Sequence, residues 1–214
     1  MGFYDRHIGP RLVSMACGLR MTREQREKVL PRATGTVLEI GMGSGHNLTL
    51  YDPGKIERLF GLEPDPTMRQ LAAPKIRQVP FEVHLVDLAA EKIPLDDDSI
   101  DTVLTTFTLC TIPDAAQALA QMRRVLRPNG QLLFLEHGLC PEARVQRWQH
   151  RVEPRWKKLA GGCHLTRAIP TMIESAGFAI QDLETGWVSP LDKNWLPPML
   201  RVPGYEFWGM AKAA

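Results

Sequence analysis

"LEIGMGSGHN", residues 38–47, decides the fold. A short apolar run carrying one acid, Glu39, gives way to three glycines set two apart: Gly41, Gly43 and Gly45. A glycine turn directly after a β-type run is where open α/β sheets bind ligands, at the carboxyl ends of their strands. A dinucleotide loop would read G-x-G-x-x-G, and here His46 stands where its last glycine belongs. A phosphate loop would end in Gly-Lys-Ser/Thr, which does not occur. Neither phosphate reading fits.

Outward from that turn the chain alternates between strand and helix patterns. Strands are expected over 36–41, 58–64, 81–87, 100–109 and 131–138. A helix is expected over 113–130, with Ala116, Leu119, Ala120, Arg123 and Leu126 on one face and Pro-Asn-Gly as its stop. A second is expected over 166–178, interrupted by Pro170 and closed by Gly177. Apolar strands alternating with helices predict an α/β, doubly wound, mostly parallel sheet of seven strands. Two last strands, 179–188 and 205–213, have only the Pro-rich "SPLDKNWLPPMLRVPG" between them, so they predict an antiparallel C-terminal edge hairpin.

Bulk numbers bound the function. The 214 residues suit one domain, here 1–214 as a unit. Hydrophobic content of 44%, charged content of 23% and a net charge of +2 describe an ordinary globular protein and give no footprint for nucleic acid. The uncharged stretch from Thr102 to Pro113 is too short to span a bilayer. Residues 1–30 predict an amphipathic helical segment with Phe3, Ile8, Leu12, Val13 and Leu19 on its apolar side, serving as a lid or touching a membrane surface. Cys17, Cys110, Cys140 and Cys163 have no CxxC spacing, which predicts a reducing cytoplasm, no disulfide framework and no metal.

The spacing E-x-G-x-G-x-G resembles the first motif of class I S-adenosylmethionine-dependent methyltransferases. "AEKIPLDDDSIDTVL" (90–104) and "MRRVLRPNGQLLFLE" (122–136) are similar to later motifs of that superfamily. The resemblance spans roughly 30–213 and implies the fold, a methyl-transfer activity and S-adenosyl-L-methionine as cofactor, with S-adenosyl-L-homocysteine as product. It implies that Gly41, Gly43 and Gly45 pass against the donor, and that Glu39 takes the ammonium of the methionine head, directly or through water. Glu63 takes the ribose hydroxyls and Asp87 the adenine amino group. Leu88 and Thr106 complete the donor contacts. Glu91 either supports the adenine loop or is solvated.

The acceptor is expected to depend on the N-terminal segment, "LCTIPD" (109–114), and a helical insertion at 138–167. "FLEHG", "WQHRVEPRWKKLAGGCHLTR" and "AGF" resemble the alkyl-thiol S-methyltransferases and, more loosely, the quinone-biosynthesis C-methyltransferases. Animal members of the first group begin with a hydrophobic anchor, and "FYDRHIGPRL" near this start is not one. The resemblance implies a small thiol or hydrosulfide acceptor. The alternatives are a quinone precursor, a lipid amine, another small metabolite, a metalloid, or cofactor binding without catalysis. His137 and His164 are candidate bases, because imidazole titrates at about 6.5 and a free thiol only at ~8.5. Arg151 and Arg167 are candidates to stabilise a thiolate, and Trp148, Trp156 and Cys163 to wall the pocket. The plain alternatives are a charged helix face for Arg151, Glu153 and Arg155, packing for the tryptophans, and burial for Cys163. A small-molecule partner, a monomer and a cytoplasmic location are expected, with membrane contact through the N-terminal helix as the variant.

Overall fold

The computed structural model describes residues 9–188 and 204–214. Phe3, Ile8 and most of the Pro-rich connection lie outside the described residues. Seven strands form one sheet: β1 (Gly35–Ile40), β2 (Ile56–Leu62), β3 (Glu82–Val86), β4 (Ile100–Thr106), β5 (Leu126–His137), β6 (Phe178–Trp187) and β7 (Tyr205–Ala213). Their order is β3-β2-β1-β4-β5-β7-β6. β1 to β5 pair in parallel, and β7 pairs antiparallel with both β5 and β6. The order reverses at β1 and β4, so a crevice opens beyond their carboxyl ends.

Strand pleating divides the core between two faces. On β5, Leu132 and Phe134 join one apolar cluster while Leu133 and Leu135 join the other. Val103 and Leu104 on β4 split the same way. That period of two explains why consecutive residues in the middle of these strands are apolar: both faces are covered.

Six helices surround the sheet: α1 (Gly9–Cys17), α2 (Arg20–Arg26), α3 (Pro66–Ile76), α4 (Ala115–Val125), α5 (Ala143–Leu159) and α6 (Ile169–Ser175). α3 starts where its chemistry requires. The Asp65 carboxylate accepts from the Thr67 and Met68 amides, and Pro66 occupies the first turn, where no amide is needed.

Several boundaries differ from the sequence pattern. α4 ends at Val125 rather than 130, and Leu126 already pairs with Ile100. Pro128 disfavours helix for the residue before it, which explains the early stop. The buried stripe of α4 is Ala115, Ala118, Leu119, Met122 and Val125, whereas Ala116, Ala120 and Arg123 face solvent. Burying each of the larger side chains in that stripe stabilises the fold by roughly 1.5–3 kcal/mol. Pro170 starts α6 instead of interrupting it, and the helix begins at Ile169. Residues 41–51, after the glycine strand, form successive turns and not a regular helix.

Candidate active site

The glycine turn leaves β1 with Gly41 at φ 64° and Gly43 at φ 57°. A Cβ on Gly41 would fall 2.6 Å from Thr108 Oγ1. A Cβ on Gly43 would meet only the Gly41 carbonyl, at 3.9 Å, because this side of the turn borders a cavity of about 160 Å³. Glu63, just past β2, lines the same cavity. Its Oε2 accepts from the Gly43 amide at 2.8 Å and its Oε1 from the Asp65 amide at 2.9 Å. Burial pushes its pKa up, opposed by those two amides. The carboxylate is therefore fixed, with further lone pairs for diol hydroxyls.

Asp87, just past β3, is an exposed carboxylate gripped at both oxygens by Arg69 of α3, each contact 3.0 Å. Arg69 also donates to the Glu63 carbonyl at 2.7 Å, so it locks the ends of β2 and β3 together. Leu88 follows on the surface, 40% exposed. Glu91 accepts from the Asp114 amide at 3.3 Å.

Glu39 lies below the cavity and not among the residues that line it. It is 1% exposed, and both its oxygens are taken, by Asn47 Nδ2 at 2.8 Å and the Tyr51 hydroxyl at 2.7 Å. Burial raises its pKa to about 7. Asn47 also donates to Thr106 Oγ1 at 3.0 Å, and Arg26 Nη1 donates to Asn47 Oδ1 at 2.6 Å and to Thr106 at 2.8 Å. Arg26, from α2, is a residue that sequence reasoning missed. It is 5% exposed, lines the cavity and leaves its Nε without a partner. A buried guanidinium with a spare donor suits a carboxylate ligand.

The cavity is roofed by α1. Ser14 Oγ lies 2.7 Å from Ser44 Oγ, and His46 Nε2 donates to the Ser14 carbonyl at 2.9 Å. His46, the residue that breaks the dinucleotide pattern, is what ties the N-terminal segment down.

Phe107 forms the wall opposite, in a left-handed conformation at φ 55°. The turn is held from beneath. Fully buried Glu136 accepts from the Thr108 amide at 2.9 Å and from Thr105 Oγ1 at 2.6 Å. A left-handed non-glycine residue costs roughly 1–2 kcal/mol, and such strain concentrates at functional sites.

Behind Phe107 lies the expected acceptor region. The His137 ring stacks on Phe107, with centroids 6.4 Å apart, and its Nε2 is 3.3 Å from Cys163 Sγ. Trp156 Nε1 donates to the same sulfur at 3.0 Å. Cys110, distant in sequence, joins them: the donor atoms of Cys110, His137 and Cys163 all lie within 4.8 Å of one another. Cys163 is pulled well down by the hydrogen bond from Cys110, against burial, with help from His137 and Trp156. Cys110 is driven up by that same bond and by burial. His137 is raised: burial opposes its charge, but Cys163 outweighs it.

The other expected residues scatter. His164 faces Glu153 at 3.5 Å and is lowered by burial and by Arg167. Glu153 accepts from the Leu165 and Thr166 amides, both at 2.8 Å, so it staples the loop after α5 rather than forming a solvated face. Arg167 is turned onto the carbonyls of Leu109 and Pro113. Arg151 sits over the Trp148 ring at 5.6 Å. Trp148 and Trp156 pack on the Cys110, Cys163 and Leu165 cluster.

A seven-stranded sheet with β7 inserted antiparallel, and a glycine turn and a paired acid at its switch point, defines the class I methyltransferase architecture. A methyltransferase domain family matches residues 38–134. Human thiol S-methyltransferase TMT1B is 34% identical over 189 residues, covering 83% of this chain and 75% of that protein. The rat protein of the same name is 35% identical, covering 76% of this chain and 66% of its own length. A demethylmenaquinone methyltransferase of Thermus thermophilus is 29% identical, covering 62% and 60%. In fold, the chain is similar to a geranyl diphosphate methyltransferase solved with S-adenosylmethionine (TM-score 0.71, 11% identity, covering 95% and 89%). It is equally similar to a methyltransferase bound to the Trm112 activator of Haloferax volcanii (TM-score 0.70, 19% identity, covering 96% and 97%). The chain belongs to the S-adenosylmethionine-dependent methyltransferase family, and its partner in reaction is a small-molecule methyl acceptor.

Proposed function

We propose that the acceptor is a small thiol or hydrosulfide. The observation that carries this reading is the aromatic contact that joins the donor cavity to the His137–Cys163 pair: Phe107 lines the cavity and stacks on His137, and Trp156 packs on Cys163. The names of the human and rat relatives support it.

The donor's residues fit this chemistry. Glu63 is held by two amides for the ribose, Gly43 leaves room for the methionine chain, and Arg26 Nε is free for its carboxylate. When bound, the donor supplies an electrophilic methyl on a sulfonium. This chain's residues supply the rest. α1 and Phe107 exclude water, so an anionic nucleophile meets a cation in a dry site, where charge neutralisation favours reaction. Holding the two reactants in line contributes several kcal/mol. His137, whose ring stacks on the cavity residue Phe107 and whose Nε2 meets Cys163 Sγ, is the candidate base for a thiol proton while no cation holds that nitrogen.

We further propose a cytoplasmic monomer that touches membrane surfaces through its N-terminal helices. Leu12, Met15, Leu19 and Met21 support this, each at least 39% exposed. Among the described residues no helix is long and apolar enough to cross a bilayer.

The test is turnover to S-adenosylhomocysteine across sulfide, alkyl and aryl thiols, amines, catechols, a demethylquinone and arsenite. Turnover confined to sulfide and thiols is expected. Turnover confined to the quinone or amines would overturn the reading.

A further inference from the structure

We propose that Cys110, His137 and Cys163 form a binding site for one thiophilic divalent cation, of the zinc class, with a fourth position left for the sulfur of the acceptor. The last part rests on the thiol reading above; the metal site itself does not.

Three observations carry it. The first is the donor set. Two cysteine sulfurs and an imidazole nitrogen lie within 4.8 Å of one another, and Cys163 Sγ and His137 Nε2 are already 3.3 Å apart. Tetrahedral zinc with Zn–S and Zn–N bonds of about 2.3 and 2.0 Å holds its donors roughly 3.5–3.8 Å apart, so the Cys163–His137 pair need open only slightly and the other separations stay within or close down to that range. Two thiolates and an imidazole select soft or borderline cations over magnesium or calcium.

The second is behind the imidazole. A zinc-bound histidine donates its other ring N–H to a carboxylate, which fixes the tautomer. His137 Nδ1 is buried with no partner, and so is Glu206 Oε2. His137 and Glu206 are direct partners across the β5–β7 ladder. A cation on Nε2 places the proton on Nδ1, on the side of that otherwise unanswered carboxylate. A small turn of either side chain would then pair the two orphaned polar atoms.

The third is position. Cys110 lies between Leu109 and Thr111, and Thr111 lines the donor cavity. His137 stacks on Phe107, which lines it too. Three protein ligands with a fourth position open is the arrangement of a working zinc rather than a structural one. A thiol entering that position would lose its proton to solvent and stay nucleophilic near neutral pH. The bound form needs both cysteines as thiolates and His137 neutral, so uptake is proton-coupled and weakens in acid. Trp156, donating to Cys163 Sγ at 3.0 Å, would temper the charge on that sulfur.

Cobalt(II) titration of the full-length reduced protein tests the site without any turnover. The expected result is saturation at one equivalent, with thiolate-to-cobalt charge-transfer absorption and the visible bands of four-coordinate cobalt. Zinc should displace the cobalt. Cys110→Ser and Cys163→Ser should each weaken the charge-transfer band by half or more, the double variant should remove it, and Glu206→Gln should weaken binding by about tenfold. No charge-transfer band in the wild type, or an unchanged one in both cysteine variants, overturns the site. Should those variants fail to fold, alkylation of the wild type decides: zinc should shield Cys110 and Cys163 but not Cys17, and equal labelling with and without zinc overturns it. For the fourth position, a small alkyl thiol should shift the visible cobalt bands, and unshifted bands overturn that part. Equal thiol turnover by stripped and zinc-loaded protein also overturns that part and leaves the thiol reading standing. No thiol turnover in either form defeats the thiol reading, while the cobalt spectrum still reports the site.

Discussion

At Gly43 the backbone turns left-handed, the amide donates to Glu63, and the missing side chain leaves donor space open. Gly43→Asp violates all three conditions. A non-glycine residue at this φ costs roughly 1–2 kcal/mol. The new carboxylate would also stand beside that of Glu63, in the space assigned to the methionine chain. Donor affinity should fall by more than about a hundredfold, equivalent to ~3 kcal/mol, with the melting temperature lowered only modestly. Calorimetry with S-adenosylhomocysteine reads the first and a thermal melt the second; unchanged affinity would sink the placement of the donor. Gly43, Glu63 and Asp87 were legible because each follows a strand, and strand ends are marked by local pattern. Arg26 and Asn47 were not, because their roles depend on contacts between segments far apart in the chain. The partners of Glu39 were hidden for the same reason: nothing local reveals that Tyr51 and Asn47 donate to its two oxygens.

The helix α1 owes its position to few contacts. The Ser14 hydroxyl and carbonyl reach Ser44 and His46, and Val13 and Cys17 complete the roof. The cavity volume of about 160 Å³ is below the ~300–1,000 Å³ of ordinary ligand pockets, so this helix is expected to shift when the donor enters and leaves. Burial and Lys75 lower the pKa of His46, which keeps the ring neutral and suited to a single N–H bond to the Ser14 carbonyl. Removing residues 1–18 should raise the donor dissociation rate and weaken affinity by about tenfold, or ~1.4 kcal/mol. It should also weaken vesicle flotation, because Leu12 and Met15 go with it, and Leu19→Ser with Met21→Ser in the truncated chain should abolish what remains. Flotation undiminished by all of these changes would remove the membrane role, and unchanged dissociation would remove the lid. An apolar stripe was readable here from spacing alone. Its division between roofing the cavity and facing outward was not, since both uses draw on the same residue types.

Across the whole molecule, the alternation of strands and helices was readable because both sheet faces are covered, and the antiparallel edge because no helix pattern separates its strands. What linear spacing conceals is the convergence of Cys110 and Cys163, which the insertion containing α5 brings together over β5. The fold also commits buried acids beneath its functional end: Glu39, Glu63, Glu136 and Glu206 are all raised chiefly by burial. This sets the dependence of stability on pH. Glu39 titrates at about 7 in the folded chain against an ordinary 4.5. Between those values the native state holds a proton that the unfolded chain has released. Its contribution is therefore complete below about pH 4.5 and is lost as pH rises through about 7. At 1.36 kcal/mol per pKa unit, the loss from this one group is on the order of 3 kcal/mol. Glu39→Gln keeps the acceptor for Asn47, and its amide can donate to the Tyr51 oxygen, but it cannot ionise. Urea unfolding should therefore show wild-type stability falling from pH 5 to pH 8 more steeply than that of the variant, so the variant gains relative to wild type as pH rises. Parallel curves across that interval would mean that Glu39 ionises freely in the folded protein, and that its bonds to Asn47 and Tyr51 fully offset its burial.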